Sequence, residues 1–247
     1  MQHQSLCIFL NSKTANSYIN NYSSECIFKL PPLNIPKRSK INISVQTASI
    51  PSSFYNCDDF NNKFNIIVNG ISQNYTIPQG NYNINTLIVQ LKFLLGVNFA
   101  IVYNNLDNTI TFTNLLYDFQ FLNTSTCFEM LGFIENITVS SISKILKSTI
   151  SINLFTIRNI LISSNNFILN NINSIRPNDT SILCSLPINS VSGSIISYTN
   201  NFNVSNDVYN TTNLTLLHLK LTDQDGAILD LNGCHFSLTL QLDIYKK

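Results

Sequence analysis

Through much of this chain an apolar residue returns at every second position, the spacing of a strand with one face buried and the other wet. The clearest run lies near the C-terminus, where Phe236, Leu238, Leu240, Leu242 and Ile244 alternate with Ser237, Thr239, Gln241 and Asp243. From Lys40 to Ile50 the residues Ile41, Ile43 and Val45 share one face, and Ser49-Ile50-Pro51 ends the run. Ser5 to Leu10 is apolar on both faces, while Glu25 to Leu30 alternates until Pro31-Pro32, where the missing backbone N–H predicts a stop. Pro36-Lys37-Arg38 is polar punctuation. Later strands are expected at Ser151–Phe155, Asn159–Ser163, Ser181–Leu186, Ile195–Tyr198, Asn213–Leu221 and Ile228–Leu231. The segments between them are polar: an Asn-rich loop running to Asp179, a second loop over Thr199–Asn210, and turns at Asp223-Gln224-Asp225-Gly226 and Asn232-Gly233.

The span from Phe64 to Gly132 reads differently. Strands at Phe64–Val68 and Ile71–Ile77 flank Asn69-Gly70, the strongest short hairpin signal. After the loop Pro78–Tyr82, Asn83 or Asn85 can cap a helix reaching Leu95, on which Leu87, Ile88, Leu91, Leu94 and Leu95 share a face and which Gly96 ends. Strands at Ala100–Tyr103, Thr109–Thr113 and Asp118–Phe121 follow, then a short helix over Ser125–Leu131 stopped by Gly132. The expected architecture is therefore all-β. An antiparallel β-sandwich or jelly roll is expected from residues 1–63 and 133–247, with a small α+β subdomain inserted at 64–132. No βαβ alternation spans the chain and no fixed-period repeat marks a solenoid or propeller.

Composition narrows the function. With 247 residues the chain can bury a full core, yet only 11% of residues are charged against 44% hydrophobic, so its polar surface is mostly Asn, Ser and Thr. A net charge of +1 without a basic block leaves little to neutralise phosphates, which argues against nucleic acid or an anionic membrane as partner. The run Leu6–Leu10 is too short for a secretory signal core, Met1-Gln2 lacks the glycine that myristoylation needs, and no apolar stretch is long enough to span a membrane. The six cysteines, Cys7, Cys26, Cys57, Cys127, Cys184 and Cys234, form no C-x-x-C pair, so reduced and partly buried thiols are expected. Sequons such as those at Asn42, Asn74, Asn178 and Asn213 are what chance gives in so Asn-rich a chain, and they are expected to be unglycosylated.

Candidate chemistry is thin. His3, His218 and His235 are the only histidines, and none sits at metal-ligand spacing. The acidic groupings are Asp58-Asp59, Asp223, Asp225 and Asp230. Asp223-x-Asp225-Gly226 resembles a calcium loop in outline but lacks the later ligands and the distal Glu, so a β-turn is expected there. No nucleophile elbow, phosphate-binding loop or dinucleotide fingerprint is present. Aromatic residues without a basic groove are read as core and interface. The expectation is a non-enzyme with no catalytic residue, no cofactor-binding residue and no metal site.

Three stretches carry a family resemblance: TASIPSSFYN at Thr47–Asn56, YTIPQGNYNINTLIVQL at Tyr75–Leu91, and LKLTDQDGAILDLNGCHFSLTLQLDI at Leu219–Ile244. In order and spacing the chain resembles jelly-roll minor capsid and penton proteins of large eukaryotic DNA viruses, virophages and polinton-like viruses. The middle region, Ile134–Asn210, adds nothing to it. The resemblance implies a structural virion protein, a minor capsid or penton component of an icosahedral shell built with double-jelly-roll major capsid proteins. It also implies the partners: further copies of itself, as a homopentamer if a penton, the major capsid protein and other minor capsid proteins. The place would be the capsid of a virion assembled in the cytoplasm or nucleus of a host cell. The alternative is a carbohydrate-binding or host-attachment module on a virion, since jelly rolls also serve as lectins.

Overall fold

The structure is a computed structural model that describes residues 2–33, 35–36, 39–169, 171, 181–209 and 214–246. Lys37-Arg38, most of the Asn-rich loop with Asn178, Asn210, and the strand start at Asn213 lie outside the described residues.

Along the chain the strands are β1 (Gln2–Asn11), β2 (Ser17–Ile19), β3 (Tyr22–Leu33), β4 (Lys40–Pro51), β5 (Lys63–Val68) and β6 (Ile71–Thr76). Helix α1 (Ile84–Leu95) precedes β7 (Phe99–Asn104), β8 (Thr109–Asn114) and β9 (Phe119–Phe121), and α2 (Phe128–Leu131) precedes β10 (Val139–Ser140) and β11 (Ile145–Lys147). The remainder is β12 (Asn159–Ser163), β13 (Ile182–Pro187), β14 (Ile195–Thr199), β15 (Asn206–Val208), β16 (Leu214–Thr222) and β17 (Ser237–Lys246).

The chain divides into two compact units. One joins Met1–Phe54 to Ile157–Lys247, and the other is Tyr55–Thr156. In the first, the antiparallel pairs are nested: β1 with β17, β3 with β16, β4 with β14, and innermost β12 with β13. Alternate pairs go to alternate sheets, giving β1-β17-β4-β14 with β15 also on β4, and β13-β12-β16-β3-β2. That wrapped, nested ribbon is a jelly roll. Its core takes Ile41, Ile43, Val45, Leu238, Leu240 and Leu242 from one sheet and Cys26, Phe28, Ile162, Leu217, Leu219 and Leu221 from the other.

Where the structure departs from the sequence pattern here, the reasons are local. β3 does not stop at Pro31-Pro32 but runs to Leu33, because its ladder with β16 is irregular between Leu214 and Leu216, which is where prolines without N–H groups are tolerated. In β4 the inward set shifts phase from Ile41, Ile43, Val45 to Ala48, Ile50. Gln46 is the extra residue of a β-bulge, since Leu240 pairs with Val45 and Thr239 with Thr47. The expected strand at Ile228–Leu231 is a single bridge, Thr222 to Ile228.

The second unit pairs β10-β9-β5-β6 and β11-β8-β7 and carries α1. Asn83 caps α1 with a capping box to Thr86, Gly96 closes it, and Leu87, Leu91 and Leu95 are buried. Phe121 is the hub of the core, with Phe64, Phe112 and Phe133 packed edge-on against it at 4.7, 4.9 and 5.5 Å between ring centroids. This unit is longer than the 64–132 span read from the sequence. At its start Cys57 exchanges backbone hydrogen bonds with Gly80, and beyond Gly132 β10 pairs with β9 and β11 with β8. Ser151–Phe155 is not a strand: Ile152 N donates to Asn108 O, and the Asn56 side chain donates to Leu154 O at 3.1 Å, so side chains and loops take the place of a ladder.

Candidate functional site

The histidines and the acidic groupings have structural partners close at hand. His3 Nε2 lies 3.2 Å from Asp243 Oδ1, and its ring stacks on Tyr245 at 4.8 Å. Hydrogen bonds from Ser5, Gln241 and His3 hold the Asp243 carboxyl below the ordinary value although its partial burial pushes the other way. His218 Nε2 stands 3.1 Å from Glu25 Oε1, a buried carboxylate that Lys220 Nζ also approaches at 3.5 Å. His235 Nδ1 is 3.2 Å from Ser12 Oγ, which accepts the Phe236 N–H. The three histidines are thus divided among three separate polar contacts. Among the described residues no group of His, Cys, Asp and Glu could hold a metal ion.

The acidic groupings shape turns. Asp58 Oδ1 accepts the Phe60 N–H, and Asp59 Oδ1 is 3.5 Å from Asn62 Nδ2. Asp223 Oδ1 accepts the N–H groups of Asp225 and Ala227, while Gly226 N donates to Asp223 O at 3.2 Å, the bond of the expected β-turn. Burial raises the Asp223 carboxyl nonetheless, outweighing those donors. Asp230 Oδ1 accepts the Asn232 N–H at the Asn232-Gly233 turn, where both residues have positive φ. The thiols divide by burial. Cys26 and Cys57 are pushed up to about 12, chiefly by burial, and Cys127 is raised by the same cause, whereas Cys7 and Cys234 are exposed.

What the residues do build is a surface that sequence reasoning missed. Across the outer face of β1-β17-β4-β14, register places Phe9, Thr239, Thr47 and Thr199 in one row and Asn11, Ser237, Ser49 and Ser197 in the next. Thr47 and Thr239 share a hydrogen bond of 3.1 Å between their hydroxyls. Over the β1 end of these rows lies a shallow groove of about 330 Å³, lined by Phe9, Asn11, Thr14, Thr47, Ser49, Ser237 and Thr239 with Leu10 and Leu238 beneath. Phe9 is 80% exposed. The signal was present as Ser and Thr at alternate positions of three strands, but the rows exist only once distant strands are paired.

The second unit has an exposed surface of another kind. α1 is apolar on more than its buried face: Val89 and Phe93, with Val97 just past the helix, are 68%, 80% and 94% exposed at four-residue spacing. An apolar stripe of this sort marks a contact surface more often than a solvated one.

No protein-family model matches the chain. A stretch of 128 residues, 50% of the chain, is 34% identical to an uncharacterized protein of Acanthamoeba polyphaga mimivirus and spans 19% of that protein's length. Among solved structures, a chain from the cryo-EM structure of the Sputnik virophage aligns over 98% of both chains with a TM-score of 0.44 and 14% identity. The crystal structure of the mavirus penton protein aligns over 99% of this chain and 100% of that one, with a TM-score of 0.54 and 11% identity. Across nearly all of its length the chain is thus similar in fold to the mavirus penton protein.

Proposed function

We propose that this protein is a structural component of an icosahedral virion, a minor capsid protein of the penton type. It would sit in the capsid, assemble with copies of itself as a homopentamer, and contact double-jelly-roll major capsid proteins and other minor capsid proteins. The observation that carries this reading is the extent of the shared fold, which takes in the whole of this chain and the whole of the mavirus penton protein. Low charge and the exposed stripe Val89, Phe93, Val97 support it, since charge is depleted and apolar side chains are enriched where subunits meet. The role needs no catalysis, and the histidines and carboxylates are engaged in strand contacts and turns.

Two measurements test this. Native mass spectrometry of the recombinant chain should give a pentamer of the 27.8 kDa subunit. Quantitative proteomics of purified particles should find about five copies per vertex, since a ring closed by heterologous contacts fixes the number. A chain that stays monomeric at all concentrations and is absent from particles defeats the proposal.

A further inference from the structure

We infer that the groove on the outer face of β1, β17 and β4 is a binding site for a neutral sugar, with Phe9 as its stacking platform and the hydroxyls of Thr47, Thr239, Ser49 and Ser237 as its polar floor. Three observations lead there. Of the eight positions in the two rows, seven are Ser, Thr or Asn and none is charged, so the rows offer a charged ligand no countercharge. The eighth, Phe9, is an aromatic ring left 80% exposed beside that floor. The groove, about 330 Å³, is at the lower end of the volume range of small-ligand sites, enough for about one or two sugar rings.

The chemistry of a pyranose matches this layout. One face of the ring presents C–H groups, which favour the electron-rich face of an aromatic side chain. Its hydroxyls both donate and accept, as do those of Ser and Thr, so each sugar hydroxyl can find a partner without a fixed polarity. Asn11 adds a side-chain amide at the rim, although its Oδ1 already accepts the Lys13 N–H at 3.0 Å. A protein partner matches less well, because interface cores are depleted in Ser and enriched in aromatic, Met and Arg side chains, and these rows offer one aromatic among seven small polar groups. Exposed hydroxyl contacts replace contacts with water and give little net free energy, so a single site should be weak, with Kd in the range of about 0.1 to 10 mM. Clustering of sites would raise it by avidity. This inference rests on the first unit alone and does not depend on incorporation into a particle.

The test uses the full chain, labelled and presented on a multivalent bead, against immobilised oligosaccharides of neutral hexoses and N-acetylhexosamines beside sialylated and sulfated ones. Saturation-transfer NMR follows with the best neutral oligosaccharide. Wild type should retain neutral glycans, and Phe9→Ala should weaken that binding by about tenfold, the loss of one aromatic stacking contact. Thr239→Val, which removes the hydroxyl but keeps the shape, should weaken it as well. Thermal unfolding monitors the fold of each variant, and Ser49→Ala serves in place of any that is unstable. Retention of no glycan, retention of acidic glycans only, or binding unchanged by Phe9→Ala and Thr239→Val overturns the inference. So does hydrogen exchange showing these rows covered by a second copy of the chain in the glycan-free oligomer.

Discussion

At the scale of single residues, burial decides which groups react and which only support. Cys26, Cys57 and Cys127 are buried thiols whose ionisation is displaced upward, so little thiolate forms at neutral pH even where a reagent could reach. In native protein, alkylation followed by mass spectrometry should label Cys7 and Cys234 first, and those three only after unfolding. Early modification of Cys57 would mean that the second unit opens locally. Gly132 is a residue-scale constraint of another sort. It has φ +78°, and a Cβ added there would collide with Ile150 O, whose own N–H donates to Gly132 O at 2.9 Å. Gly132→Ala should therefore destabilise by more than about 1 kcal/mol in denaturant unfolding, from the strained φ and the collision together. The Asp243 carboxyl adds a pH dependence. Held below 3.8 when folded, it stabilises the fold above its unfolded value and loses that contribution as pH falls through the folded one. Asp243→Asn should flatten the acid limb of the stability profile below about pH 4, read from unfolding midpoints across the range.

At the scale of elements, β17 shows how far alternation can be trusted. Leu240 is fully buried while Thr239, on the other face, is half-exposed. Leu240→Ala should cost about 2 to 5 kcal/mol in denaturant unfolding, and Thr239→Ala well under half of that. The reverse order of costs would mean that the strand faces the other way. Elements of this kind were legible because their signals are local: the alternation of β17, the Asn83 cap and Gly96 stop of α1, and the Asn69-Gly70 turn between β5 and β6 are each set by adjacent residues. What was not legible depends on partners far away in sequence. The Gln46 bulge exists only relative to β17, the passage of β3 through Pro31-Pro32 only relative to β16, and the two-residue β10 is too short to announce itself without β9. Ser151–Phe155 failed in the opposite sense. Its pattern is that of a strand, but Asn56 and Asn108 satisfy its backbone first. The hydroxyl rows were invisible for the same reason as the bulge, since Thr47, Thr199 and Thr239 become neighbours only through strand order.

At the scale of the whole molecule, the contrast between a polar sheet face on one unit and an apolar helical stripe on the other separates two kinds of contact. Phe93→Asp on α1 should leave the unfolding midpoint nearly unchanged, within about 0.5 kcal/mol, because the side chain is 80% exposed. Under the proposed capsid role it should nevertheless reduce incorporation into particles or association with the major capsid protein, measured by sedimentation; incorporation at the wild-type level would remove that stripe from the proposed assembly contacts. The nesting of the jelly roll has a further consequence, for the order in which the molecule can form during synthesis. β4 finds its partners β14, β15 and β17 only after the whole of Tyr55–Thr156 has been made, and β1 waits for β17, with Leu6 opposite Leu242. The contiguous second unit can therefore fold on the ribosome while the N-terminal strands, synthesised earlier, still lack a sheet to join. At about 5 to 20 residues per second those strands spend several seconds or more with open edges, the state in which β chains associate with the wrong partner. The chain is thus one whose first strands are the last to be secured, and its yield in a cell should depend on what shields them until β17 emerges.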